Sequence, residues 1–555
     1  MSNKTAQRMT GGQALVACLK AHNIRHVFNV PGESYLGALD ALVDAPEITV
    51  ITNRQEGGAC YMAEAYGKAT RTPGICFVTR GPGATNASIG VHCATQDSTP
   101  LVLFVGQVPR KNRGREAFQE IDYEQFFGSI AKWVVEIDRA DKVPEVVTRA
   151  LYLAASGRPG PVVVSLPEDM LVEEAEMIIP AAIPINHPAP DPELVHRMVA
   201  RLNAAERPVV IAGGGVQYAR GRAELVRFAE HFRVPVVTAW RRNDAFPNTH
   251  PHYGGNLAIG KTPAQALVTE ADLVLVVGSR LSEITTNDYT LPLPGQPMIQ
   301  IDVDNAVIGR TFPPELAIIA DARLALEAAL DHPGPGEGAR ADYLAQAGQA
   351  QQAFAQPTDR PAEHVAMEGV MRDMVEGLDE DTILTVDAGN ASAWVQRFYP
   401  YRSEDSLLGP TVGSMGYGLP SAIAAKLAHP ERTVIGTSGD GAFMMTVQEL
   451  ATAVQHEVNI IHLVFNNGAY GTIRMHQERD YPGRYIATDL KNPDFAALAR
   501  AHGAHGYTVE KNADFLPALR EAISARKPAV IDVRTDLENI SVAATISQLR
   551  AAHKK

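Results

Sequence analysis

Cysteine is scarce: the 555 residues include four, Cys18, Cys60, Cys76 and Cys93, none in a C-x-x-C pair. That usage excludes a disulfide framework and reads as buried free thiols in a reducing cytosol. Basic charge is outweighed, with 50 Lys and Arg against 63 Asp and Glu and a net charge of −13. Such a balance argues against nucleic acid as a partner. Long hydrophobic runs are missing as well. Leu273–Val277 and Val162–Val164 fall far short of the ~20 apolar residues that span a bilayer, so no membrane partner is expected. The opening MSNKTAQRMTGG has no apolar run of the signal-peptide kind, and a cytoplasmic protein is expected. There is no Walker A loop, so ATP-driven chemistry has no support, and no short tandem repeat of the solenoid type.

What is present is a globular composition, 45% hydrophobic and 20% charged, with ample apolar surface to bury. The length suggests about three or four domains. Short apolar strings such as ITVIT, ICFVT, LVLFVG, PVVVSL, PVVIAGGG, LVLVVG, TVIGTSGDG and IIHLVFNN alternate with amphipathic segments. Near-continuous Val/Ile/Leu strands separated by helices predict parallel sheets covered on both faces. Two composition breaks interrupt the series: the Pro-rich Met177–Glu193, and a Gly/Pro-rich then Ala/Gln-rich His332–His364. Both read as inter-domain linkers. The expected fold is α/β, with three consecutive doubly wound domains over roughly 1–180, 190–335 and 362–555.

The most informative stretch is SGDGAFMMTVQELATAVQHEVNIIHLVFNNGAYG, Ser438 to Gly471. Arg432–Thr437 reads as a strand, Val447–Val454 as a helix and Ile460–Phe465 as the next parallel strand. A right-handed crossover brings both strand ends to one sheet edge. Asp440 and Asn467 therefore meet in the crevice where open α/β sheets bind ligands. Gly439 and Gly441 leave room for backbone N–H groups to approach a phosphate. One carboxylate and one amide oxygen make a poor metal cage by themselves. They suit Mg²⁺, whose other positions are filled by phosphate oxygens and water.

This GDG…NN spacing resembles the signature of thiamine-diphosphate-dependent enzymes. The resemblance implies metal ligands at Asp440, Asn467 and the Ala469 carbonyl, with Gly439, Gly441, Ala442, Tyr470 and Gly471 around the cofactor. The family also needs a carboxylic acid of raised pKa against the aminopyrimidine ring, protonating a ring nitrogen so that the exocyclic amine removes the thiazolium C2 proton. VFNVPGE, RQEGGACYMAEAYGKAT, RGPGATN and FVGQVP occur in family order and place that acid at Glu56. GSMGYGLPSAIAAK brings aminopyrimidine contacts to Gly413 and Met415, and DAGNAS brings Asn390 and Ala391 to the diphosphate. In the family the acid and the diphosphate grip come from different subunits, which implies a homodimer or a dimer of dimers.

The likeness covers essentially the whole chain and is closest to acetolactate synthase large subunits and their look-alikes. FVGQVPRKNRGREAFQE puts Phe118 and Gln119 at the thiazolium, and Lys132 and the Gln448–Val454 string also match. Three positions depart from the pattern. Glu33 follows Val-Pro-Gly where the synthase has a small residue; simple 2-keto acid decarboxylases have an acid there that handles protons at the reacting carbon. His476 replaces a tryptophan that shapes the acceptor pocket. GSRLSEIT keeps Arg280 but has Ile284 for a second arginine that helps read the acceptor's carboxylate. The resemblance thus implies small carbonyl substrates, with either carboligation or simple decarboxylation or C–C lysis, and leaves open a binding homologue without chemistry. IAGGGV in the second domain resembles a nucleotide-binding turn, weak evidence by itself, and the altered arginine segment weighs against FAD there. His250 and His252 form an H-x-H with no further ligand set, which reads as a loop and not as zinc.

Overall fold

The computed structural model describes residues 5–553. Its backbone forms three six-stranded sheets, one in each third of the chain, and every pairing within them is parallel. The central strands are buried along their whole length, as in Leu101–Gln107, Pro161–Pro167 and Leu273–Val277. That burial explains why they read as unbroken apolar strings and not as alternating ones. The fold class expected from the sequence is the one observed.

In the first sheet the spatial order places the strands Thr49–Thr52, His26–Asn29, Gly74–Val78 and Leu101–Gln107 side by side. Their C-terminal ends share one edge. In the third sheet Ile383–Val386, Val434–Gly439 and Ile461–Asn466 are neighbours, with Gly439 opposite Phe465. A small antiparallel ribbon, Gln7–Thr10 on Glu174–Met177, joins the two ends of the first domain.

The first and third domains share a core. Helix Glu56–Thr70 lies on helix Gly418–Ala428, and one buried cluster includes Ala59, Tyr61, Met62 and Ala63 from the former with Leu419, Ala422 and Ile423 from the latter. Alanine and glycine line the contact, so the two helices approach closely. Tyr61 meets Tyr417 edge-on at 5.5 Å between ring centroids.

Part of the stretch expected to be a linker is structured. Ala341–Phe354 is a helix whose Tyr343 and Ala347 join a core cluster of the second domain, with Leu344 buried beside them in sequence. Arg340 fastens its start by donating to the carbonyls of Leu202, Ala205 and Phe232. Its composition resembles a linker because three apolar side chains suffice to dock it. Residues 178–191, by contrast, form no helix or strand and are largely exposed. All four cysteines are buried. Among the described residues no helix is long and apolar enough to cross a membrane.

Candidate active site

The turn after strand Val434–Gly439 and the loop after strand Ile461–Asn466 meet at one carboxylate. Asp440 is buried, and its Oδ2 accepts from the Gly468 N–H at 2.8 Å and from Asn492 Nδ2 at 2.7 Å, while Oδ1 accepts from the Gly441 N–H at 2.8 Å. Burial raises its pKa above the usual carboxylate value, and these donors offset part of the rise. Asn467 Oδ1 receives only a 3.2 Å bond from the Ala469 N–H. Tyr470 covers the turn: a Cβ on Gly441 would lie 2.5 Å from its ring. Ala391 stands on the other side, 3.8 Å from where a Cβ on Gly439 would be. Asn390 opens helix Asn390–Phe398 after Gly389, and its side chain donates to the Ile540 carbonyl at 3.0 Å. Gly471 starts helix Gly471–Asp480, which carries His476.

A second group of residues sits on the first domain at the ends of its sheet strands. Glu56 is the first residue of its helix and is half-buried, with Asn86 Nδ2 donating to its Oε2 at 2.9 Å. Arg80, buried at the end of strand Gly74–Val78, gathers the others. It pairs with Glu33 at 2.5 Å and Glu168 at 3.2 Å, and its Nε donates to the Phe118 carbonyl at 3.2 Å. The guanidinium also lies 5.9 Å from the Phe118 ring. Gln119 adopts φ +67°, and its carbonyl would be 2.6 Å from a Cβ on Gly81. Glu33 and Phe118, far apart in sequence, thus converge through Arg80, and Gln119, next to Phe118, packs against Gly81.

Three family models match successive stretches: the N-terminal thiamine pyrophosphate binding domain over residues 9–126, the central domain of thiamine pyrophosphate enzymes over 195–329, and the C-terminal binding domain over 387–533. The chain belongs to the thiamine pyrophosphate enzyme family. It is 32% identical to the acetolactate synthase isozyme 1 large subunit of Escherichia coli, over 97% of this chain and 96% of the relative. It is 31% identical to an acetolactate synthase of Arthrospira platensis, with 96% and 95% covered. It is also 31% identical to YdaP of Bacillus subtilis, a protein named for thiamine pyrophosphate alone, with 96% and 92% covered.

For a thiamine pyrophosphate enzyme, the donor set at Asp440 fits a cation shared with a diphosphate. Among the described residues no cluster of three or more His, Cys, Asp or Glu stands ready for a metal; a cation held at Asp440 would share phosphate oxygens and water. The Gly413–Met415 turn is the stretch expected to meet an aminopyrimidine. Gly413 has φ +70°, which only glycine adopts without strain, and Tyr61 bonds Ser414 Oγ and, at 3.3 Å, the Met415 carbonyl. Ala442, in the same short helix as Asp440, is buried.

Two members of the site escaped the sequence reading. Arg80 lies in the RGPG string that served only as a family marker. Asn492 is an isolated residue with no motif to flag it; it donates to both Asp440 and Asn466 Oδ1. Lys132, by contrast, is remote from this chemistry: its Nζ caps a helix end by donating to the carbonyls of Leu153, Ser156 and Arg158, and burial lowers its pKa to about 8. His250 pairs with Glu230 at 3.2 Å and His252 bonds the Ala229 carbonyl.

Between the first and second domains lies an open cleft bordered by Arg158, Arg280, Asp302, Trp240 and the Gly214–Gly215 turn. Burial lowers the Arg280 pKa to about 10 and raises that of Asp302 to about 6. The mix of cations and carboxylates fits phosphates and ribose hydroxyls in general. The glycines are accounted for without a ligand, since a Cβ on Gly215 would lie 2.6 Å from Gly278 Cα. Nothing in this lining selects a flavin over another nucleotide.

Proposed function

We propose that the protein is a Mg²⁺-dependent thiamine diphosphate carboligase of the acetolactate synthase kind, acting on a 2-keto acid donor and a second small carbonyl compound. The observation that carries this reading is the meeting of Asp440 with the Asn467–Ala469 loop, where Gly468 N–H reaches Asp440 at 2.8 Å. When bound, thiamine diphosphate supplies an electron sink for cleavage beside a carbonyl group. Asp440, the Asn467 side-chain oxygen and the Ala469 carbonyl hold the metal, and Gly439 and Gly441 admit the diphosphate. Glu56 holds a proton toward the pyrimidine, and Asn86 orients its carboxyl. Phe118 and Gln119, set by Arg80, shape the space over the reacting carbon. Phe118 is 73% exposed in the single chain, with Ile89 and Phe126 also showing apolar surface; this supports a homodimer, or a pair of dimers, in which that face is covered and Glu56 serves the partner's cofactor. FAD has no part in the proposed reaction, and a colourless preparation is expected.

One observation favours a second reading. Glu33, paired with Arg80 and 65% exposed, stands in the same group as Phe118 and Gln119, where it can deliver a proton and make the enzyme a non-ligating decarboxylase or C–C lyase. Incubation with a panel of 2-keto acids and 2-hydroxyacyl-CoA compounds, scoring CO₂ and coupled products separately, decides between them. Coupled products support the carboligase; CO₂ or cleavage without them supports the Glu33 reading. Absence of all turnover with cofactor bound would mark a binding homologue. Glu56→Gln is expected to keep cofactor affinity while turnover falls ~100-fold or more; unchanged turnover would remove Glu56 from its role.

A further inference from the structure

Arg241 is an uneconomical residue by every local measure. It follows the second-domain strand Val236–Thr238 and adopts φ +56°, a left-handed conformation that is strained for a non-glycine residue. Its side chain is 2% exposed, and burial pulls the guanidinium pKa down to about 10. All its hydrogen bonds go to neutral oxygens: the Pro410 carbonyl at 2.7 Å, the Asp387 carbonyl at 2.9 Å and Ser392 Oγ at 3.3 Å. All three lie in the third domain. The nearby Asp97 and Asp387 carboxylates favour the charge, but neither is hydrogen-bonded to it. A buried cation held this way is normally selected against, so the reason for it belongs with what it holds.

What it holds are the segments around the candidate cofactor site. Asp387 and Ser392 bracket the turn that presents Asn390 and Ala391. Pro410 opens the loop that runs through Gly413 and Met415. The Asp387 carboxylate extends the link: it accepts from the N–H groups of Ala388 at 2.7 Å, Gly416 at 2.9 Å and Gly418 at 2.9 Å, and from Ser438 Oγ at 3.0 Å. Ser438 leads directly into Gly439 and Asp440. Three separate stretches, 387–392, 410–418 and 438–442, are therefore joined through one side chain of another domain and the carboxylate beneath it. The packing leaves no slack, since a Cβ on Gly418 would lie 2.5 Å from Ser438 Oγ.

We propose that Arg241 is a positioning residue by which the central domain sets the mutual placement of the pyrimidine and diphosphate grips for thiamine diphosphate. The proposal rests on the cofactor reading above. A residue that merely glued the domains would affect the stability of the cofactor-free chain alone. A positioning residue affects how well the preformed site meets its ligand, because segments left free must be ordered on binding.

The test is calorimetric titration of thiamine diphosphate, with Mg²⁺ present, into the full-length apo-protein, beside its melting temperature. Arg241→Met is expected to raise the cofactor Kd about tenfold, the scale of one charge-assisted hydrogen bond. Arg241→Lys, which keeps the charge but not the fork, is expected to lie between it and wild type. A Kd within about twofold of wild type for Arg241→Met, with only the melting temperature lowered, overturns the proposal. If Arg241→Met does not fold, Arg241→Lys decides by the same criterion. Failure of the wild type to bind the cofactor would sink the functional reading instead.

Discussion

Asn466 and Asn467 look identical in the sequence and differ by what surrounds them. Asn466 is 5% exposed, donates to Asp532 Oδ1 at 2.9 Å and accepts from Asn492, so its amide is fully engaged in the loop. Asn467 keeps an oxygen available. The motif therefore names the position of the candidate site, and burial decides which amide has an oxygen to offer it. Arg80 was legible only as a family letter, because its role depends on Glu33, Phe118 and Glu168, which the chain brings together from three separate stretches. His462 makes the same point. Ser438 spends its single proton on Asp387, so His462 must donate from Nε2, leaving Nδ1 buried and bare against Gly436. Burial lowers its pKa to about 3. Because the folded value lies below the unfolded one, the unfolded chain takes up the proton first, and stability falls as pH drops from about 6.5 toward 3. Between pH 7 and pH 5 this one group is expected to cost about 2 kcal/mol. Urea midpoints at the two pH values should show His462→Asn losing less than wild type; an equal loss would refute the assignment.

At the scale of elements, strand and helix positions followed from apolar strings and glycine-rich turns, since parallel strands buried on both faces leave a clear sequence trace. The start of helix Glu56–Thr70 shows what that trace omits. Glu449, from helix Glu449–Gln455 in the third domain, accepts from Asn53 Nδ2 at 3.0 Å, the Arg54 N–H at 3.1 Å and the Gln55 N–H at 3.0 Å. Burial raises its pKa, and these donors offset part of the rise. A carboxylate almost 400 residues away thus anchors the segment leading into Glu56, and no local pattern announces it. Replacing it by Ala leaves these buried donors unmatched, at a cost of about 3 kcal/mol. Denaturant unfolding of Glu449→Ala tests this, and turnover is expected to fall with it because Glu56 loses its anchor. A variant as stable as wild type would contradict the account. The docked helix Ala341–Phe354 was missed for a related reason: its apolar stripe is short and is completed by the second domain.

At the scale of the whole molecule, the proposed dimer makes a prediction no single chain can satisfy. If Glu56 acts on the partner's cofactor, mixing inactive Glu56→Gln and Asp440→Ala chains under exchange restores one intact site in each mixed dimer. Activity should then recover to about a quarter of wild type. No recovery under demonstrated exchange would place acid and diphosphate grip in the same subunit. The shared core of the first and third domains was not legible in the sequence, which shows where domains begin but not which of them fuse.

That fused core changes what the tether at 178–191 means. The tether is the visible weak point for a protease, yet the piece ahead of it is clasped by the far end of the polypeptide. Nicking there should yield two bands on a denaturing gel and one unchanged peak on a sizing column. Escape of the leading fragment would show that the clasp is too weak to hold without its covalent leash.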